Sequence, residues 1–247
     1  FQSIWTILPL ATSALVLGGF LVIESRSNAP LMPISFIRRG SVLTANTLAL
    51  VLTSVVGGIS FILPVYFQNI LGYSAVIAGL LTLPPALIFF LVGGWGAARL
   101  VDRFGAKRTL ILSSLLVAAG TAMLTQISPT GSYYAVLPGM LVWAIGASIG
   151  FPAVNIAAVA GTRPGEEGLA SGFVNTSFRV GFPVGLAVLL TVAGVFDPTP
   201  TGPTSPLALA TSVTAGFQVA MVAGALLGLL GFVIALRLKD VKPEWGH

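Results

Sequence analysis

Seven stretches of the chain are almost wholly apolar, at about 4–23, 42–66, 76–98, 109–127, 135–160, 169–194 and 213–236. Polar, Pro-rich or charged connections separate them, and they are labelled spans A to G. A helix crossing the roughly 30 Å hydrocarbon layer needs about 20 mainly apolar residues, and each span is close to that length. The other spanning solution, a closed β-barrel, alternates apolar and polar residues with period two. Runs such as Leu110-Ile-Leu-Ser-Ser-Leu-Leu-Val-Ala-Ala do not alternate. The pattern predicts an all-α integral membrane protein with seven transmembrane helices.

The basic residues order these spans. Arg26, Arg38 and Arg39 follow A; Arg99, Arg103, Lys107 and Arg108 follow C; Arg163 follows E; Arg237, Lys239 and Lys242 follow G. The connections after B, D and F hold no Lys or Arg, and Arg179 alone lies inside a span. Lys and Arg are retained on the cytoplasmic side, so the chain is expected to start outside and end inside a cell membrane. Tyr66, Tyr73, Tyr133 and Tyr134 fall at the opposite ends of B to E, and Trp5 at that end of A. Amphipathic rings favour the headgroup layer there, which agrees independently with the Lys and Arg count.

Composition adds exclusions. Hydrophobic residues make up 55% of the chain and charged residues 8%, with a mean hydropathy of +0.98. Soluble domains carry about 25% charged residues. The net charge of +5 is spread over several inner loops and not gathered into one stripe, so no nucleic-acid partner is expected. Cys is absent and the single His is His247, which leaves no thiol chemistry and no Cys- or His-based metal site. No cofactor is implied. The chain opens on Phe1, almost inside span A, without a charged region and cleavage site. The expectation is that more polypeptide precedes it.

Within the spans, Pro84 and Pro85 in C, Pro138 and Pro152 in E, and Pro183 in F are expected to bend or interrupt helices. The pairs Gly146/Gly150, Gly181/Gly185 and Gly224/Gly228 have the spacing that lets helices approach closely. The prolines of 28–33 should turn the A–B connection along the inner surface, and the Pro-rich 197–206 stretch reads as an outer loop. Polar groups deep in a bilayer usually face protein or water. Asn46 in B, Asn155 in E, and Asn175 and Arg179 in F therefore mark B, E and F as interior-lining, with D and G facing lipid. Asn46, Phe61, Tyr66, Trp143, Phe151, Asn155 and Asn175 are the candidates for one wall of a cavity. Arg179 is either a cavity or gating cation or a packing residue that reaches carbonyls between helices. No Asp or Glu lies within any span.

The C–D connection reads Gly94-Trp-Gly-Ala-Ala98-Arg-Leu-Val-Asp102-Arg103-Phe-Gly105-Ala-Lys107-Arg108. It resembles the loop signature of the major facilitator superfamily, Gly-x-x-x-Asp-Arg-x-Gly-x-Lys/Arg-Arg/Lys, with Ala98 in place of the leading Gly. Two further stretches resemble that superfamily's fourteen-span drug/proton antiporter branch. One is Tyr66-Phe-Gln-Asn-Ile-Leu-Gly72-Tyr73-Ser74-Ala75; the other is Gly168-Leu-Ala170-Ser171-Gly172-Phe-Val-Asn175-Thr176-Ser-Phe-Arg179-Val-Gly181. Glu167 stands where the branch has Arg. Residues 24–36 of the A–B connection are similar to the same branch.

The resemblance implies that residues 1–41 are a linker transmembrane helix and cytoplasmic loop. It implies that 42–247 form the C-terminal six-helix half, built as two inverted three-helix repeats. The partners would be the lipid bilayer, a small-molecule substrate and an N-terminal half outside this chain. Asp102, Arg103 and Gly105 would help close a cytoplasmic gate against that other half. The function implied is proton-coupled efflux of amphipathic molecules by alternating access. A solute-specific importer of the same superfamily and a non-transport seven-span protein are the alternatives. The last span has no Lys for a retinal Schiff base, and no carboxylate pair or Ser-His arrangement lies at membrane depth for an enzyme.

Overall fold

The computed structural model describes residues 4–27, 34–37, 39–160, 162–195 and 205–238, and among them the chain is helical with no strand. Two compact units divide at residue 39. The first holds α1 (Ile4–Arg26), whose described side chains are almost all exposed, and the short α2 (Ile34–Ile37). The prolines of 28–33, the 197–206 loop up to residue 204 and the tail beyond 238 lie outside the described residues.

The second unit contains α3 (Gly40–Val65), α4 (Ala75–Leu81), α5 (Leu83–Leu91), α6 (Ala97–Phe104), α7 (Ala106–Met123), α8 (Tyr133–Val159), α9 (Glu167–Val195) and α10 (Pro206–Leu236). Six helical stretches among the described residues are long and apolar enough to cross a membrane; α4 to α6 together make one of them, Ala75–Phe104. This is a multi-pass membrane protein. The six stretches coincide with spans B to G, and α1 occupies span A.

The ends differ from expectation in two places. Span C continues past 98 to Phe104, because Ala98, Arg99, Leu100 and Arg103 are good helix formers and nothing stops the helix before Gly105. Span G starts at Pro206 and not near 213. Ser205 accepts a hydrogen bond from the Ala208 amide at 3.2 Å, and Pro206 fits the first helical position, where no amide donor is needed.

The prolines act unequally. Pro84 and Pro85 open α5 after a break at Thr82, whose hydroxyl donates to the Gly79 carbonyl at 2.7 Å. A five-residue π turn, Val92–Gly96, separates α5 from α6 where the sequence is Val-Gly-Gly-Trp-Gly. Pro138, Pro152 and Pro183 instead lie inside α8 and α9, which run on through them. Packed transmembrane helices tolerate Pro where neighbours re-satisfy the freed carbonyls.

Packing follows small residues. Long α7 lies along α8 and α10, and α3 lies along α9, with α8 and α10 also against it. A methyl group on Gly146 would meet Leu116 and Val117 of α7, and one on Gly228 would meet Ala118 main chain at 2.8–2.9 Å. Hydroxyls bind across these contacts: Ser113 donates to the Gly146 carbonyl at 2.7 Å and Ser54 to the Gly181 carbonyl at 3.1 Å. Close helix backbones and interhelical hydrogen bonds are the association forces left when lipid removes the hydrophobic one. Span D is therefore not simply lipid-facing, since half of it is buried between α8 and α10. Span F is the reverse: only about a fifth of α9's apolar window is buried. Its exposed stripe carries Gly172, Asn175, Thr176, Arg179 and Pro183.

Candidate functional site

A cavity of about 440 Å³ opens between α3, the Thr82–Phe89 stretch and α8. Val56, Ser60, Leu63 and Pro64 form one wall, Thr82, Pro85, Ala86 and Phe89 a second, and Met140 and Trp143 the third. Its position follows from local structure. The break at Thr82 and the prolines after it thin the helix there, and the small Ser60 and Ala86 leave the space open.

Aromatic rings run from this cavity along the unit. Phe89 meets Trp143 edge-on at 5.9 Å between centroids and Phe151 at 6.2 Å; Phe151 in turn meets Phe178 of α9 at 4.9 Å. Edge-to-face and tilted pairs at such distances are favourable beyond their burial. The Trp143 indole N–H is buried without an acceptor among the described residues. The lining offers flat apolar surface and two hydroxyls, with no charge. Such a wall suits an amphipathic molecule held by shape and stacking.

The seven cavity candidates separate. Trp143 lines the cavity, and Phe151 adjoins it through Phe89. Phe61 is exposed and Asn155 half-buried, and neither is on its wall. Asn175 is exposed on α9. Asn46 and Tyr66 are buried inside the packing and are not on the wall of this cavity. Asn46 Nδ2 donates to the Val42 carbonyl at 2.8 Å, while its Oδ1 accepts from Ser177 Oγ at 2.7 Å. Tyr66 donates to the Ser128 carbonyl at 2.7 Å. Both tie elements together, since a polar group in a dry interior needs a partner more than it needs water. Ser177→Ala is expected to leave Asn46 Oδ1 short of that partner. The loss should be about 1 kcal/mol, read as a lowered unfolding midpoint of the purified protein.

Phe89, Thr82, Pro85, Met140 and Phe178 belong to the site or its aromatic extension without having been anticipated. Phe89 and its neighbours sit in a uniformly apolar run, where sequence marks no preferred face.

The signature loop lies between α6 and α7. Ala98, Asp102 and Arg103 are exposed on α6, and Lys107 and Arg108 are in the first turn of α7. Asp102 makes no ion pair with any described residue. Gly105 joins the helices at φ 83°, ψ 159°, a region essentially closed to side-chain-bearing residues. A methyl there would meet nothing within 4 Å, so Gly105→Ala isolates backbone strain from clash. It is expected to cost about 1–3 kcal/mol of stability, measured by thermal unfolding in detergent. Arg179 is exposed near the middle of α9, with no ion pair among the described residues. The structure thus brings the loop residues together but leaves Arg179 apart from both loop and cavity lining.

The sequence pattern of the Major Facilitator Superfamily matches residues 5–186. Puromycin resistance protein pur8 of Streptomyces alboniger is 34% identical over 96% of the chain and 49% of its own length. Cephamycin export protein CmcT of Amycolatopsis lactamdurans is 32% identical over 75% of the chain and 39% of its own length. The tetracenomycin C resistance and export protein of Streptomyces glaucescens is 32% identical over 73% of the chain and 33% of its own length. The chain thus spans half or less of the length of these relatives.

Proposed function

The chain belongs to the major facilitator superfamily, and on that footing we propose that it forms the C-terminal part of a secondary-active exporter of amphipathic small molecules. Residues 1–41 supply a linker helix and cytoplasmic loop, and 42–247 supply the six-helix half. The observation that carries the reading is the set of relatives: proteins named for resistance to, or export of, puromycin, cephamycin and tetracenomycin C. Cargoes so unlike one another are best met by a wall that demands little specific pairing. The uncharged, aromatic cavity around Phe89 and Trp143 has that character.

Alternating access needs a gate as well as a cavity. Asp102, Arg103 and Gly105 act as that gate on the cytoplasmic side, where the Lys and Arg distribution puts the loop. Asp102 is exposed and has no ion-pair partner in the described residues, so its carboxylate is free to meet a cation or helix end of the other half in one state only. Proton coupling needs a titrating group at depth, and none of the six spans B to G contains an embedded Asp or Glu. The carrier in this reading is an acid contributed from outside this chain.

The test is transport by the product of the complete reading frame in inverted membrane vesicles. Ethidium accumulation driven by an acid-inside gradient, and abolished when the gradient is collapsed, is the expected result. Accumulation that ignores the gradient would sink antiport, and no accumulation of ethidium or puromycin with or without the gradient would sink export altogether.

A further inference from the structure

A second, smaller cavity of about 220 Å³ lies at the inner ends of α6 and α7, lined by Leu100, Phe104, Arg108, Thr109 and Leu112. It is apolar except at its Arg108 edge. Phe104 and Leu112 are themselves well exposed on this unit, at 44% and 42%. Thr109 offers no competing polar group, because its hydroxyl is committed to the Gly105 carbonyl at 2.9 Å. Arg108 is exposed, with no ion pair among the described residues. On the same helix end, Arg103 lies 5.3 Å from the centre of the Phe104 ring and Arg99 5.7 Å from that of Trp95. Trp95 is 73% exposed.

Paired exposed aromatics and guanidiniums mark the depth at which hydrocarbon gives way to headgroups. The slot therefore begins where a lipid phosphate sits and runs toward the hydrocarbon, where an acyl chain sits. We propose that it is a binding site for one anionic glycerophospholipid of the inner leaflet. Arg108 holds the phosphate, Arg103 adds positive potential, and Leu100, Phe104 and Leu112 cover the first methylenes of an acyl chain. Charge complementarity selects the headgroup, since basic pockets between helices on the cytoplasmic side favour anionic lipids. A guanidinium can form two parallel hydrogen bonds with a phosphate, a geometry a zwitterionic choline headgroup partly screens. The slot shares no lining residue with the cavity around Phe89 and Trp143. Lipid occupancy would brace the loop carrying Asp102.

The experiment is native mass spectrometry of the complete protein, with phosphatidylglycerol and phosphatidylcholine of matched chains added in turn. Wild type is expected to retain phosphatidylglycerol in preference. Arg108→Gln should lower that retention about fivefold, the effect of one basic group near an anionic headgroup. Arg108→Lys should keep part of it, since the charge stays but the two parallel hydrogen bonds do not, and Leu112→Trp, which fills the slot at unchanged charge, should weaken both lipids. Glycerol 3-phosphate should displace neither, because it lacks the acyl chain. Equal retention of the two lipids by wild type, or an undiminished preference in Arg108→Gln, overturns the proposal. So does displacement by glycerol 3-phosphate, which would make the site one for a soluble phosphate. Should Arg108→Gln fail to fold, the Leu112→Trp comparison decides: lipid retention equal to wild type overturns the proposal.

Discussion

Gly185→Val is expected to prevent α3 and α9 from packing and to remove most of the folded protein from detergent extracts. A Cβ at position 185 would fall on the main-chain atoms of Ser54, and one at Gly181 on the main chain of Leu50 and the Thr53 hydroxyl. A flexible side chain could swing aside, but a helix backbone moves only as a whole. Overpacking a core commonly costs 1–3 kcal/mol, and a clash with main chain belongs at about 3 kcal/mol or above. The separation would also break the Ser54–Gly181 bond at 3.1 Å and the Ser177–Asn46 bond at 2.7 Å. Gly172 lies on the same helix, and a side chain there would meet nothing within 4 Å. Gly172→Val is therefore the control, expected to retain the wild-type melting temperature. The two variants would be compared by monodisperse yield and thermal unfolding. Gly185→Val protein that extracts and melts like wild type would mean that α3 and α9 do not meet along this face.

The same helix pair explains what the amino-acid sequence reveals and what it conceals. Span positions are legible because bilayer thickness imposes a length, and because a single Lys or Arg is costly enough at depth to be kept out. The loop between C and D is legible too, since Asp102, Gly105 and the basic residues recur at a fixed spacing. Helix ends are less so. Charged residues continued α6 through Arg103, and a Ser-Pro cap opened α10 in a stretch that reads as Pro-rich loop. Least legible is which way a polar side chain turns. Asn46 and Asn175 look alike in sequence, yet one is clasped by a neighbouring helix and the other is exposed. Asn46, Asn155 and Asn175 all donate to a carbonyl four residues back, so depth alone does not distinguish a cavity wall from a packed seam. Phe89 was concealed for the opposite reason: in an unbroken apolar run, only packing against Trp143 and Phe151 gives it a direction.

Arg179→Leu is expected to cut transport by the complete protein severely, by up to about 150-fold, while leaving its stability unchanged or raised. Arg179 lies about 18 Å from the start of α9 at 1.5 Å per residue, near the middle of the membrane. A guanidinium there costs at least about 2.5–3.5 kcal/mol unless it is hydrated or paired. Within this unit it is exposed, no described acid pairs with it, and its exposed neighbours on α9 are Gly172, Asn175, Thr176 and Pro183 together with Val180 and Phe182. A surface that places an amide, a hydroxyl and a charge at this depth is a poor one for lipid. It is a good one for a watered cavity or for an acid on the opposing half. A merely structural Arg would lose packing on truncation and lower the melting temperature. A functional one would lose a coupling free energy of about 1–3 kcal/mol between states, so transport would fall about 5- to 150-fold without a stability cost. Arg179→Lys keeps the charge but loses the planar fork, and should retain partial activity. Initial rates of ethidium uptake into inverted vesicles, set beside melting curves of the same preparations, separate the cases. Full transport by Arg179→Leu, or a drop in stability that matches its loss of transport, would return Arg179 to the role of a packing residue.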